Sequence, residues 1–163
     1  MIRAAILTIS DKGSRGERVD ESGQVIKAMI AGPDTEVVSY DIVPDEKDVI
    51  KDRLVELADT LRATLIVTTG GTGVSPRDVT PEATREVIDR ELPGMAEAMR
   101  AESMKKTPNA MLSRAVCGIR GETLIINLPG SPRAVRENLA VVLPAIRHAV
   151  EKICGGAADC GRA

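Results

Sequence analysis

The chain has 163 residues, with 22 basic and 24 acidic side chains and a formal net charge of −2. That balance leaves no electrostatic footprint for duplex nucleic acid or an anionic membrane, and with Tyr40 as the sole aromatic there is no stacking platform for single strands. No stretch approaches the roughly 20 apolar residues that span a bilayer, and the apolar segment after Met1 ends at Ser10–Asp11–Lys12, too soon for a secretory leader.

Arg3 to Ser10 is apolar and β-branched and reads as a buried strand. Asp11 to Asp20 is charged, holds Gly13 and Gly16, and reads as a loop. Ser22 to Ala31 sets Val25, Ile26, Met29 and Ile30 at helical spacing, and Gly32–Pro33 stops it. Thr35 to Val43 is a second strand, ended by Pro44. Asp45 then opens a helix with Val49, Ile50, Leu54, Leu57, Ala58 and Leu61 on one face. Thr64 to Thr69 is a third strand and runs into Gly70–Gly71–Thr72–Gly73. Thr80 as N-cap and Pro81 at the first helical position start a helix with Val87 and Ile88 inward; Pro93–Gly94 separates it from a helical segment over Met95 to Met104. A short strand is expected near Leu112 to Cys117, and a longer one at Thr123 to Leu128. Pro129–Gly130 turns the chain, Ser131 caps and Pro132 begins a long last helix. Alternating helices and evenly apolar strands predict an α/β three-layer sandwich with a mostly parallel central sheet. Residues 1–154 read as one domain, and 155–163 as a flexible Gly-rich tail.

In such a sheet, ligands bind outside the carboxyl ends of the strands. The unusual residues fall there: Ser10–Asp11, Pro44–Asp45–Glu46, the glycine segment, and Leu128–Pro129–Gly130–Ser131–Pro132. The glycine N–H groups can cradle a phosphate. The segment lacks the Gly-Lys-Ser/Thr of a Walker A loop, and Pro76 stands where a dinucleotide fingerprint needs its third glycine; a tight turn is the alternative. Ser131–Pro132 and Thr80–Pro81 read either as plain N-caps or as helix N-termini facing an anion. Asp45 reads either as an N-cap or, with Asp78, as one of two carboxylates holding a hard cation against phosphate oxygens. Asp78 could instead stabilise a turn or pair with Arg77. His148, the single histidine, lies in the last helix, away from the strand ends. Cys117 reads as a core residue, and Cys154 and Cys160 have no zinc-ligand spacing. Three cysteines without a Cys-x-x-Cys pair fit a reducing cytoplasm.

Thr68–Thr69–Gly70–Gly71–Thr72–Gly73 followed by Arg77–Asp78–Val79–Thr80–Pro81–Glu82–Ala83 resembles the signature of the molybdopterin-binding family, which includes bacterial Mog and MoaB proteins and the G domains of gephyrin and plant Cnx proteins. Pro44–Asp45–Glu46, Leu112–Ser113–Arg114, Gly118–Ile119–Arg120–Gly121 and Ile126 to Pro132 fit the same family in order. The resemblance implies a compact α/β fold, a homotrimer, and adenylylation of molybdopterin by ATP with Mg²⁺, releasing pyrophosphate. It implies that Asp45 and Asp78 bind the metal and are required for catalysis. It also implies that Gly70, Gly71, Thr72, Gly73 and the Leu128–Pro132 turn contact nucleotide and pterin, with Ser10, Asp11, Thr80, Glu82 and Ser113 as further pocket positions. The alternative within the family is a non-catalytic molybdopterin-binding or carrier protein of the same pathway. Only the enzyme needs both aspartates, and both are present.

Overall fold

The computed structural model describes residues 1–156. Six strands form one sheet: β1 (Ile2–Ile9), β2 (Thr35–Val43), β3 (Leu65–Thr69), β4 (Arg90–Glu91), β5 (Cys117–Arg120) and β6 (Thr123–Leu128), in the order β2-β1-β3-β6-β5-β4. The first four in that order run parallel; β5 and β4 form an antiparallel edge. The helices are α1 (Asp11–Ser14), α2 (Glu21–Ile30), α3 (Lys47–Val55), α4 (Thr80–Val87), α5 (Pro93–Met104) and α6 (Pro132–Ile153).

Strand periodicity sorts the core into two layers. Ala4, Ile6, Leu65, Val67, Leu124 and Ile126 face α2, α5 and α6, where Ile26, Met99 and the Val135–Leu139–Val142–Ile146–Val150 stripe meet them. Ala5, Leu7, Ile66 and Ile125 face α3 and α4 through Ile50, Leu54, Ala83 and Val87. Both faces of the inner strands are therefore covered, which is why their sequences are predominantly apolar. Buried polar residues interrupt this at Thr8, Thr68, Thr69, Thr123 and Asn127, and Asn127 is fully buried. Its amide donates to the hydroxyls of Thr68 and Thr84, both at 3.0 Å, and its Oδ1 accepts from the Val116 N–H at 3.2 Å.

Five expectations need correction. The Asp11–Asp20 loop contains α1, a single turn held by Ser10 Oγ, which accepts the Gly13 N–H at 3.0 Å. Asp45 does not cap α3: Glu46 holds the cap position and makes no side-chain cap bond. Thr80 is not an N-cap either, since Val79 holds that place and Pro81 follows one position later than expected. Pro93–Gly94 is no separator, because α5 begins at Pro93. The strand expected at Leu112 to Cys117 lies at Cys117–Arg120 instead, with β4 as an added edge partner, and Pro108–Leu112 forms a 3₁₀ turn. Ser131 does cap α6, accepting the Ala134 N–H at 3.2 Å, with Pro132 as its first residue.

Candidate active site

The carboxyl ends of β1, β2, β3 and β6 lie side by side at one edge. Gly70 and Gly71 follow β3 with φ of 96° and 66°, a region that penalises a Cβ. A Cβ on Gly70 would lie 2.2 Å from the Ile9 carbonyl oxygen, and one on Gly71 2.2 Å from Thr80 Oγ1. The loop is pinned from both sides. Thr80 Oγ1 donates to Gly70 O at 3.0 Å and the Thr80 N–H to Gly71 O at 3.1 Å. The Gly70 N–H donates to Leu128 O at 3.2 Å, and Thr69 Oγ1 to Pro129 O at 2.6 Å. Across the site, Ser22 Oγ donates to Gly130 O at 2.7 Å, joining the start of α2 to the β6–α6 turn.

A hollow flanks the glycine loop on each side. The first, about 520 Å³, is bordered by Ser10, Arg18, Asp20, Gly70, Ser131 and Pro132 among others. The second, about 500 Å³, is bordered by Thr72, Gly73, Asp78, Arg100, Ser113 and Pro129 among others. Gly71 and Gly130 border both. The N-terminus of α6 opens beside the first hollow, and its dipole favours an anion there.

Asp45 and Asp78 border the glycine loop from different strand ends. Asp45 Oδ1 lies 3.3 Å from the position of a Cβ on Gly71, and Asp78 Oδ2 lies 2.8 Å from that of one on Gly73. Asp45 and Asp11 bind reciprocally. The Asp11 N–H donates to Asp45 Oδ2 at 2.8 Å, and the Asp45 N–H to Asp11 Oδ1 at 3.0 Å. Arg77 then clasps the Asp11 carboxylate with two bonds, at 2.7 and 3.0 Å. Those bonds hold the Asp11 carboxyl below its ordinary range. Burial pushes the Asp45 carboxyl up, and the nearby charges of Asp11 and Asp78 add to it. Asp78 Oδ2 accepts the Ser75 N–H at 2.8 Å.

This donor set fits a hard divalent cation completed by phosphate oxygens. Each aspartate keeps one carboxylate oxygen clear of hydrogen bonds among the described residues. Burial first, and then the like charges of Asp11 and Asp78, raise the Asp45 carboxyl, and a cation relieves the like-charge part. No group of three or more metal-binding side chains exists among the described residues; Mg²⁺ held with substrate phosphates and water needs only one or two protein carboxylates.

Sequence reasoning pointed to residues that the fold distributes differently. Ser10, Gly70, Gly71, Gly130, Ser131 and Pro132 border the first hollow. Thr72, Gly73, Asp78, Ser113, Pro129 and Gly130 border the second. Thr80 and Leu128 are fully buried and hold the glycine loop through the hydrogen bonds above, Thr80 by its hydroxyl and its N–H and Leu128 by its carbonyl. Glu82 borders neither hollow and pairs with Arg114. Asp11 contacts Asp45 and Arg77 rather than a hollow. No local signal in the sequence marks Arg114 or Ser22: Arg114 stands beside Ser113, but its partners and the contact of Ser22 with Gly130, 108 residues away, are set by the fold. Cys117 is a core thiol that burial pushes up to about 12. Cys160 lies outside the described residues.

Residues 5–148 match a family described as "Probable molybdopterin binding domain". The chain is 44% identical over 156 residues to the molybdopterin adenylyltransferase of Helicobacter pylori strain J99, covering 94% of this chain and 89% of that protein. It is 46% identical over 155 residues to gephyrin of Dictyostelium discoideum, covering 89% of this chain and 21% of that longer protein. The crystal structure of the molybdopterin biosynthesis enzyme MoaB from Thermus thermophilus superposes with a TM-score of 0.90 at 54% identity, over 95% of this chain and 98% of that one. The match over nearly the whole chain, on a fold whose glycine loop and paired aspartates lie at the ligand edge, shows that this chain belongs to the molybdopterin-binding domain family of molybdenum cofactor biosynthesis.

Proposed function

We propose that the chain is a molybdopterin adenylyltransferase. In the reaction, an oxygen of the pterin's terminal phosphate attacks the α-phosphorus of ATP. The bond from that phosphorus to the bridging oxygen breaks, and pyrophosphate leaves with its electron pair. The observation that carries this reading is a glycine loop with a hollow on each side, Asp78 bordering the second hollow and Asp45 lying against Gly71, which borders both. Two phosphorylated substrates meeting at a shared charged centre need that arrangement.

Transfer at phosphorus asks the protein chiefly for positioning and charge neutralisation. Asp45 and Asp78 would hold Mg²⁺, which when bound neutralises phosphate charge. The N–H groups of Gly71, Thr72 and Gly73, and that of Arg133 in the first turn of α6, orient phosphate oxygens. Gly71 and Gly130, which border both hollows, bring the two substrates to one place. No protein nucleophile is required. Residues 1–154 act as one domain, assembled as a homotrimer in the cytoplasm, without nucleic acid or membrane partners. Among the described residues, no helix is long and apolar enough to cross a membrane.

Incubation with molybdopterin, ATP and Mg²⁺ should yield adenylylated pterin and pyrophosphate. Asp78→Asn keeps the shape and should lower the rate by at least ~10²-fold, the scale of losing one placed electrostatic contributor. Pterin binding without any transfer by the native chain would favour the carrier alternative.

A further inference from the structure

We propose that Arg114 is a positioning residue for Asp78 and that Glu82 acts through Arg114, so that this pair fixes the loop carrying one of the two cation-facing carboxylates. The inference rests on the reading of Asp45 and Asp78 given above. Arg114 lies between the Pro108–Leu112 turn and β5. Its backbone N–H donates to Thr72 O at 2.8 Å. Its side chain donates from Nε to Gly73 O at 2.7 Å and from Nη2 to Asp78 O at 2.6 Å. The Glu82 carboxylate, in the first turn of α4, closes on Nη1.

Those two carbonyls are the two ends of the loop 73–78. Inside the loop, the Asp78 N–H donates to Ser75 O at 2.9 Å and the Ser75 N–H returns to Asp78 Oδ2 at 2.8 Å. One guanidinium thus closes a ring that aims the Asp78 side chain. Residues 74–77 between the ends are exposed. Among the described residues, the other side-chain hydrogen bonds from the loop to the rest of the fold are those of Arg77 to Asp11. A planar fork with fixed donor angles spans two carbonyls and a carboxylate at once; a lysine ammonium cannot. Glu82 holds the fork in plane, and Arg114 in turn keeps the Glu82 carboxyl below its ordinary range.

The test uses the full chain with Arg114→Gln, Arg114→Lys and Glu82→Gln, and reads three quantities. The first is amide exchange of Ser75 and Asp78 against that of β1 and β3, which needs no activity. The second is kcat against KM, and the third is the Mg²⁺ concentration giving half the maximal rate. In Arg114→Gln, the loop amides should exchange roughly tenfold faster while the β1 and β3 amides keep native protection. Its kcat should fall about 10²-fold, as for a misplacement near 1 Å. KM for the pterin should stay within about twofold, and the Mg²⁺ requirement should rise. Arg114→Lys should not restore kcat, because charge alone is not the device. Native loop exchange together with native kcat in Arg114→Gln overturns the proposal. Should that variant fail to fold, Glu82→Gln decides: faster exchange at Ser75 and Asp78 supports it, and unchanged exchange overturns it. If the native chain transfers no adenylyl group, the proposed function fails, and the exchange measurement alone still judges the role of Arg114.

Discussion

Gly73→Ala isolates the position of Asp78 from its presence. Gly73 carries no positive φ, so the new methyl brings no backbone strain. It would stand 2.8 Å from Asp78 Oδ2, while ordinary contact begins at 3.4 Å, so the carboxylate must retreat by about 0.6 Å. The atom that gives way is the end of a side chain, and the Gly73 carbonyl remains available to Arg114. The structural cost is the weakened Ser75 N–H bond, about 0.5–1.5 kcal/mol. In a chain of this size that lowers the melting temperature by about 1–6 °C. The catalytic cost is larger, because a misplacement near 1 Å costs ~10²-fold; adenylylation should drop between about 10- and 10²-fold. Scanning calorimetry and a pyrophosphate-release assay on the same preparation measure both. Native turnover in Gly73→Ala would show that Asp78 need not sit where it does, and its placement would lose the role assigned to it.

Gly70→Ala should behave in the opposite way, since its methyl meets the Ile9 carbonyl at 2.2 Å on a residue with φ of 96°, and neither backbone can yield. Strain and overpacking together predict a loss of about 2–6 kcal/mol, read as a lower melting temperature before any assay of activity. Asp45→Asn should abolish transfer yet stabilise the fold near neutral pH. Because burial raises the Asp45 carboxyl above its ordinary 3.8, the folded state keeps that proton to higher pH than the unfolded state. Ionising the carboxyl therefore removes stability as pH rises through that interval. The variant's melting temperature relative to the native chain should be higher at pH 7 than at pH 3, and a difference that does not grow would contradict the assignment. Sedimentation equilibrium at micromolar concentration should give three times the chain mass, and a monomer would refute the homotrimer.

The sheet and most helices were legible because their signals are local. The buried strands Thr64 to Thr69 and Thr123 to Leu128 are apolar and β-branched, and proline marks the start of α6. The glycine segment was legible as a candidate phosphate cradle for the same reason. What escaped was set by contacts distant in sequence. α1 forms from Asp11–Lys12–Gly13–Ser14, weak helix material, because Ser10 and the Asp45 carboxylate satisfy its first N–H groups. Asp45 looked like the cap of the helix that follows it, yet its acceptor serves a turn 34 residues earlier. β5 and β4 are short, and part of their pattern is charged; their pairing comes from neighbours rather than propensity. Arg114 stands 41 residues from Gly73, so its role could not be read from spacing.

Asn127 bears on how freely this interior can vary. A core of aliphatic side chains can be exchanged among Val, Ile and Leu at modest expense, and such cores lose uniqueness before they lose stability. The amide of Asn127 has no such freedom, because it ties β3, α4 and the segment entering β5 to one strand position. Its partner across the sheet is Thr68, and the next pair along, Thr69 and Leu128, leads directly into the glycine loop and the Pro129 turn. A one-residue slip between β3 and β6 would break the Asn127–Thr68 bond and leave buried polar groups unpaired, so this pair favours the observed register. The pair thereby fixes the β3–β6 register at the edge that carries the glycine loop and the Pro129 turn. Wholesale aliphatic repacking of this chain should preserve its reaction geometry so long as Asn127, Thr68 and Thr84 are retained as a set.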